Sequence, residues 1–204
     1  DEAAWIKLKG DEQPAAEVVW KGKPRSALFC CNSTPYIEGD TVYGSDIQSG
    51  DFVAVNLKDG SRRWSTKDVT NAGRRDRHAS AFIVKHDEHF FLFTEKGDLI
   101  LADLTPEGYK EISRFHVLEP TNEAFGRSVV WSHPAFANQS LFARNDKEIA
   151  PRFVVSLWSS RTNDQGEFVV LFPQVTQSAR SLRGGFSASF TAAYSVWGKI
   201  SVSG

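Results

Sequence analysis

Several places in the sequence carry side chains suited to chemistry. Arg74-Arg75-Asp76-Arg77-His78 gathers three guanidinium groups and an imidazole. The planar fork of Arg suits a carboxylate or a phosphate, although a solvated loop has the same composition. Cys30 and Cys31 are adjacent. Neighbouring cysteines can close a strained eight-membered disulfide ring. Strand alternation would instead place the two side chains on opposite faces, one buried and one at the surface. His133 stands in Trp131-Ser132-His133-Pro134, where Pro134 holds it extended. It either presents its imidazole to an open space or bonds a carbonyl. His86 and His89 flank Asp87-Glu88 with the spacing of a weak metal clip, and no third ligand is evident.

The remaining polar groups define no reaction centre. Asp98, Asp103 and Glu107 form no carboxylate pair with a defined partner. The several converging oxygens of a calcium site cannot be found. There is no Gly-rich phosphate loop and no nucleophile elbow. The run Arg144-Asn145-Asp146-Lys147-Glu148 reads as a polar turn with internal ion pairs. No catalytic, cofactor-binding or metal-binding residue is assigned.

The elements that hold these groups are short strands. The 204 residues carry a net charge of −1, with 41% hydrophobic and 24% charged residues, a globular composition. A nucleic-acid partner is not expected without a basic excess. The apolar runs are too short to span a membrane. Strands rich in Val, Ile, Phe, Tyr and Thr are expected at 17–20, 34–37, 41–45, 51–56 and 61–65. A second set is expected at 80–85, 89–95, 98–104 and 109–117, and a third at 130–137 and 140–144. Gly, Asp and Asn mark the turns between them. No segment keeps a helical period over three turns.

Self-comparison gives a repeat of 47 to 51 residues. Val42-Tyr43 matches Phe90-Phe91, Gly50 matches Gly97, Leu57 matches Leu104, Gly60 matches Gly108, and Phe90-Phe91 matches Leu141-Phe142. Four strands per repeat is the signature of β-propeller blades, each stacked on its neighbours. The expected fold is all-β: a partial propeller of about three four-stranded antiparallel blades, with an atypical C-terminal tail. Residues 21–33, 66–79 and 120–130 then join successive blades on one face. That face is where Cys30, Cys31, Arg74, Arg75, Arg77, His78 and His133 are the candidate binding residues, His133 towards a central channel.

The stretch from Tyr43 through Gly50, Ala54-Val55-Asn56-Leu57 and Gly60 to Trp64 resembles the tryptophan-docking repeat of quinoprotein-like (PQQ-like) β-propellers. That repeat usually has Asp at Asn56 and Thr-Gly at Asp59-Gly60. Residues 1–149 as a whole resemble PQQ-like repeat proteins of planctomycete type. Ser33-Thr34-Pro35, Gly97-Asp98-Leu99-Ile100, Leu118-Glu119-Pro120-Thr121-Asn122 and Trp131-Ser132-His133-Pro134-Ala135-Phe136 carry that likeness. The resemblance implies structural roles for Gly50, Ala54, Gly60 and Trp64, with Trp64 laid against a peptide plane of the next blade. Trp20 and Trp131 are assigned structural roles beside them. For Cys30-Cys31 it implies the disulfide ring that quinoprotein alcohol dehydrogenases place over their cofactor. Asn32-Ser33-Thr34-Pro35 departs from that enzyme motif.

The likeness ends near Ile149. Residues 1–150 hold 19 basic against 23 acidic side chains, whereas residues 151–204 hold 5 against 2 and are Ser-rich. The expected division is a propeller part, 1–149, and a distinct tail, 150–204, either non-native or an additional β segment with strands near 167–172 and 192–197. The absence of Met and the blade count lead us to expect the C-terminal arc of a larger ring. The implied function is a non-catalytic binding or scaffold segment of an exported, periplasmic protein. Its partners would be the remaining blades and a protein or small-molecule ligand. A fragment of a PQQ-dependent dehydrogenase, with PQQ and calcium, and a sensor domain of a signalling protein are the alternatives.

Overall fold

A computed structural model describes residues 3–10, 14–23, 26–30, 32–70, 78–153, 171–175 and 192–196. Every regular element among them is a β-strand. The chain divides into two units, Asp1–Pro134 with Arg144–Glu148, and Ala135–Ala143 with Ile149–Gly204.

The first unit opens with a hairpin of β1 (Ala4–Lys9) and β2 (Ala15–Lys21). Next comes a four-stranded antiparallel meander of β3 (Tyr36–Glu38), β4 (Thr41–Ser45), β5 (Phe52–Asn56) and β6 (Arg62–Thr66). A second meander follows, of β7 (Ala81–His86), β8 (His89–Thr94), β9 (Asp98–Leu104) and β10 (Tyr109–His116). A short hairpin of β11 (Asn122–Ala124) and β12 (Arg127–Val129) completes the unit. The second unit holds the three-stranded sheet of β13 (Ala135–Ala137), β14 (Ser140–Arg144) and β15 (Ile149–Phe153). It also holds a separate pair, β16 (Leu171–Val175) and β17 (Ala192–Val196).

The chain is all-β, and its two complete meanders are propeller blades. The inner strands β5, β8 and β9 are apolar on both faces, as strands covered on both sides must be. The outer strands β6 and β10 alternate between covered and exposed positions. Between the blades, Tyr43, Phe52 and Ala54 of the first meet Phe90, Leu92, Ile100 and Ala102 of the second in one core. Burying each of the larger side chains contributes about 1.5–3 kcal/mol.

One irregularity repeats and fixes the equivalence of the sheets. The register shifts between Ala54 and Val55 against β6, and between Leu101 and Ala102 against β10. It shifts again between Trp5 and Ile6 against β2. A bulge at the same place makes β1–β2 the counterpart of β5–β6 and β9–β10. The tryptophans agree with this. Trp20 donates from Nε1 to the Leu57 carbonyl at 2.7 Å, and Trp64 donates to the Thr105 carbonyl at 2.9 Å. Each outer-strand Trp therefore closes a seam on the following blade's turn. The indole of Trp20 lies over Gly60, whose φ of +73° and tight fit both favour glycine.

Three expectations are corrected. The strand expected at 130–137 begins only at Ala135, because Arg127–Val129 pairs with β11 and the Val130 N–H is given to the Glu95 carbonyl. Cys30 lies outside any strand, so strand alternation does not orient it. The turn after β14 is held by Asn145, whose Oδ1 accepts from the N–H groups of Lys147 and Glu148 at 2.8 Å. Backbone capping, not ion pairing, sets that turn. Among the described residues the third sheet has three strands.

Candidate functional site

The ends of the strands define two sides of each blade. The turns after β3 and β5 lie at one end, and the segment after β4 lies at the other, with the loops that connect blades. On this loop side each blade buries a carboxylate directly after its second strand: Asp46 after β4 and Glu95 after β8.

Asp46 is fully occupied. Its Oδ1 accepts from the Phe29 N–H at 3.2 Å, and its Oδ2 accepts from Ser49 and from Arg62 at 2.6 Å. Arg62 also donates to the Ala27 carbonyl, so the pair anchors the loop before β3. Glu95, 1% exposed, is held differently. Arg127 donates to Oε1 at 2.8 Å and to Oε2 at 3.2 Å, and the Trp131 indole donates to Oε2 at 2.9 Å. Buried carboxylates need such complete pairing. With every oxygen engaged, both serve as anchors and neither is placed for proton transfer.

Glu95 fixes the β11–β12 hairpin, and the hairpin presents Phe125. Phe125 and Gly126 have φ of 52° and 76°, the two positive values of a tight hairpin turn. A non-glycine residue there costs about 1–2 kcal/mol. Phe125 is 71% exposed. It stacks on His78, with centroids 4.6 Å apart and planes 13° from parallel. His78 also has a positive φ, 62°, and its N–H is bonded to the Ile47 carbonyl. Trp131 flanks Phe125 at 6.1 Å. Two strained residues stacked face to face, with one apolar ring in solvent, is the kind of conformation found at binding surfaces.

Beside Trp131 lies a cavity of about 130 Å³, lined by Asn122, Val129 and Val130 on one side and by Arg144, Asn145 and Asp146 on the other. Asn145 donates to the Glu119 carbonyl, and Thr121 Oγ1 accepts from the Asp146 N–H. A further polar cluster ties β10 to the loop after β6. Arg114 donates to the Asp68 carbonyl at 2.7 Å and to Glu111 at 2.8 Å, and Tyr109 donates to Glu111 at 2.7 Å. Burial pushes the Tyr109 hydroxyl up, and the adjoining Glu111 carboxylate adds to this. Burial alone would raise Glu111, but the bonds from Arg114 and Tyr109 outweigh it and hold the carboxyl below its ordinary range.

The candidate residues from the sequence are distributed as follows. His78 and Trp131 meet through Phe125. His133 packs edge-on against Phe82 at 5.3 Å. Its Nδ1 lies 2.8 Å from the Pro134 carbonyl, so Nδ1 carries the proton in that bond. Cys30 lines a separate groove with Trp20. Cys31, Arg74, Arg75 and Arg77 lie outside the described residues. Gly50 has a φ of 74° and bonds the Asp46 carbonyl, and Ala54 is buried in the interblade core. His86 stacks on Phe91, while His89 bonds Asp103. Among the described residues no group of three or more His, Cys, Asp or Glu is placed to hold a metal ion. No described helix is long and apolar enough to cross a membrane.

Phe125, Arg127, Asp46 and Glu95 were not singled out in the sequence. One signal existed: the two acids stand 49 residues apart, within the repeat.

No family model matches the chain, and no curated protein matches it. Among solved structures it is similar to BamB from Moraxella catarrhalis, at 17% identity and a TM-score of 0.41. The similarity covers 66% of this chain and 33% of that one, so this chain spans about a third of that protein's length.

Proposed function

We propose that this chain is a non-catalytic binding segment of a β-propeller of the PQQ-like repeat kind, working outside the cytoplasm. Its loop side engages a partner protein. The observation that supports this reading is the Phe125–His78 stack, an exposed aromatic ring on a strained turn. The turn is pinned from below by the buried Glu95–Arg127 pair. An aromatic held rigid loses little freedom on binding, which is what makes such a side chain an effective anchor. Glu95, Arg127 and Trp131 beneath it are bonded to one another, so Phe125 offers an apolar contact.

A photo-crosslinking phenylalanine analogue at position 125, in cells that make the protein, tests the reading. A discrete adduct is expected at 125 and none at position 59, on the opposite turn side. Substituting Glu95→Gln should weaken the adduct by loosening the hairpin. Equal labelling at both positions would overturn the proposal. So would a stoichiometric cofactor absorbance and dye reduction on adding PQQ and calcium.

A further inference from the structure

The β1–β2 hairpin matches the outer half of the complete blades. Its bulge at Trp5/Ile6 and its Trp20 seam bond repeat those of β5–β6. In the complete blades the strand equivalent to β1 is paired on both sides: β5 lies between β4 and β6, and β9 between β8 and β10. Among the described residues β1 is paired on one side alone. Its apolar side chains are correspondingly bare: Ile6 is 49% exposed and Leu8 77%, with Val18 of β2 at 51%. An open apolar edge of this kind is a template for strand addition.

Among the described residues the seam beside this half-blade also lacks a filler. Between the two complete blades, Tyr43 of β4 fills the interface, 5.9 Å from Trp64 and 6.0 Å from Phe90. Tyr43 stands opposite Ala54, and its repeat Phe91 stands opposite Leu101. The residue of β1 in that register is Trp5. Among the described residues no strand supplies a side chain at the corresponding place between β1–β2 and the first blade. A groove of about 750 Å³ remains there, lined by Trp5, Trp20, Ile37, Val42 and Val55 among others.

We propose that the free edge of β1 is a docking site for a β-hairpin from outside the 204 residues. The incoming strand runs antiparallel to β1, alternates apolar residues, and sets an aromatic side chain opposite Trp5 and into the groove. The repeat defines this occupant: it is the counterpart of β3–β4 and β7–β8.

A synthetic peptide with the sequence of residues 34–46, which spans β3 and β4 with Tyr43, serves as the probe, titrated into the whole chain by calorimetry. Saturable one-to-one binding is expected. Replacing the tyrosine that corresponds to Tyr43 in the peptide by alanine should weaken binding at least tenfold, and this variant leaves the chain untouched. Substituting Lys7→Pro in β1 should abolish binding. Failure to bind at millimolar peptide would overturn the proposal, as would equal affinity of the alanine peptide. Dimerisation of the chain through this edge that the peptide does not displace would overturn it too.

Discussion

Trp64 donates its indole N–H to the carbonyl of Thr105, 41 residues on and in the next blade, at 2.9 Å. The same side chain lies against Tyr43 and Phe52 of its own blade. One residue thus joins two sheets by a hydrogen bond and by apolar contact. Trp20 repeats the device towards Leu57. Since the blades share no ladder hydrogen bonds, such seams hold them together.

Substituting Trp64→Phe keeps most of the apolar contact and removes the bond. The expected loss is about 1 kcal/mol. Trp64→Ala removes both and is expected to cost about 3–5 kcal/mol. Urea unfolding midpoints at constant slope separate the two effects. Equal losses for both variants would show that the indole N–H carries the seam.

Glycines at similar turns differ in what they permit. Gly60 has a φ of +73°, and a Cβ there would meet the Trp20 ring at 2.9 Å. Gly108 has no neighbour within 4 Å of such a Cβ. Gly60→Ala should therefore destabilise by more than about 1 kcal/mol and disturb Trp20 fluorescence. Gly108→Ala should be neutral or slightly stabilising, because it restricts the unfolded chain. Thermal melts of the two variants make the comparison.

The buried pair under the aromatic stack gives a sharper contrast. Arg127→Ala leaves Glu95 charged and 1% exposed, a loss of about 3–5 kcal/mol. Adding Glu95→Gln removes the stranded charge and should recover part of that loss. A double-mutant cycle reads the coupling. Additive single effects would mean that the pair is not what holds the hairpin.

The strands at 41–45, 98–104 and 140–144 were legible because dense apolar residues end at Gly, Asp or Asn. The first strand was not. Lys7 and Lys9 break its apolar pattern on the exposed face, and its only described strand partner is β2. The loop 120–130 hides a hairpin because its strands are three residues long and partly polar. The candidate site was half legible. His78 and Trp131 stood out by residue type, whereas Phe125 owes its role to contact with His78, 47 residues earlier, which no local pattern encodes. Asp46 and Glu95 were visible only as a repeat position, since their meaning depends on which arginine reaches them. Arg62 comes from the same blade and Arg127 from the following hairpin.

The cluster of Tyr109, Glu111 and Arg114 makes stability depend on pH at both ends of the range. Burial raises the Tyr109 hydroxyl and Glu111 reinforces the shift. A raised folded value means that its contribution is complete below the unfolded value, near 10, and is lost as pH rises beyond it. Glu111 is held low by Arg114 and Tyr109 against the opposing effect of burial. Its contribution is complete above the unfolded value, near 4.3, and is lost as pH falls through the folded one. Urea midpoints of the wild type and of Glu111→Gln should differ by a constant amount between about pH 6 and pH 9 and converge under acid. Tyr109→Phe should flatten the alkaline limb and, by removing one of the two bonds that hold Glu111 low, shrink the acid limb in part. In a spectroscopic titration Tyr109 and Tyr43, both raised by burial, should ionise late, and the Tyr109 delay should vanish in Glu111→Gln only in part, because burial, the larger cause, remains.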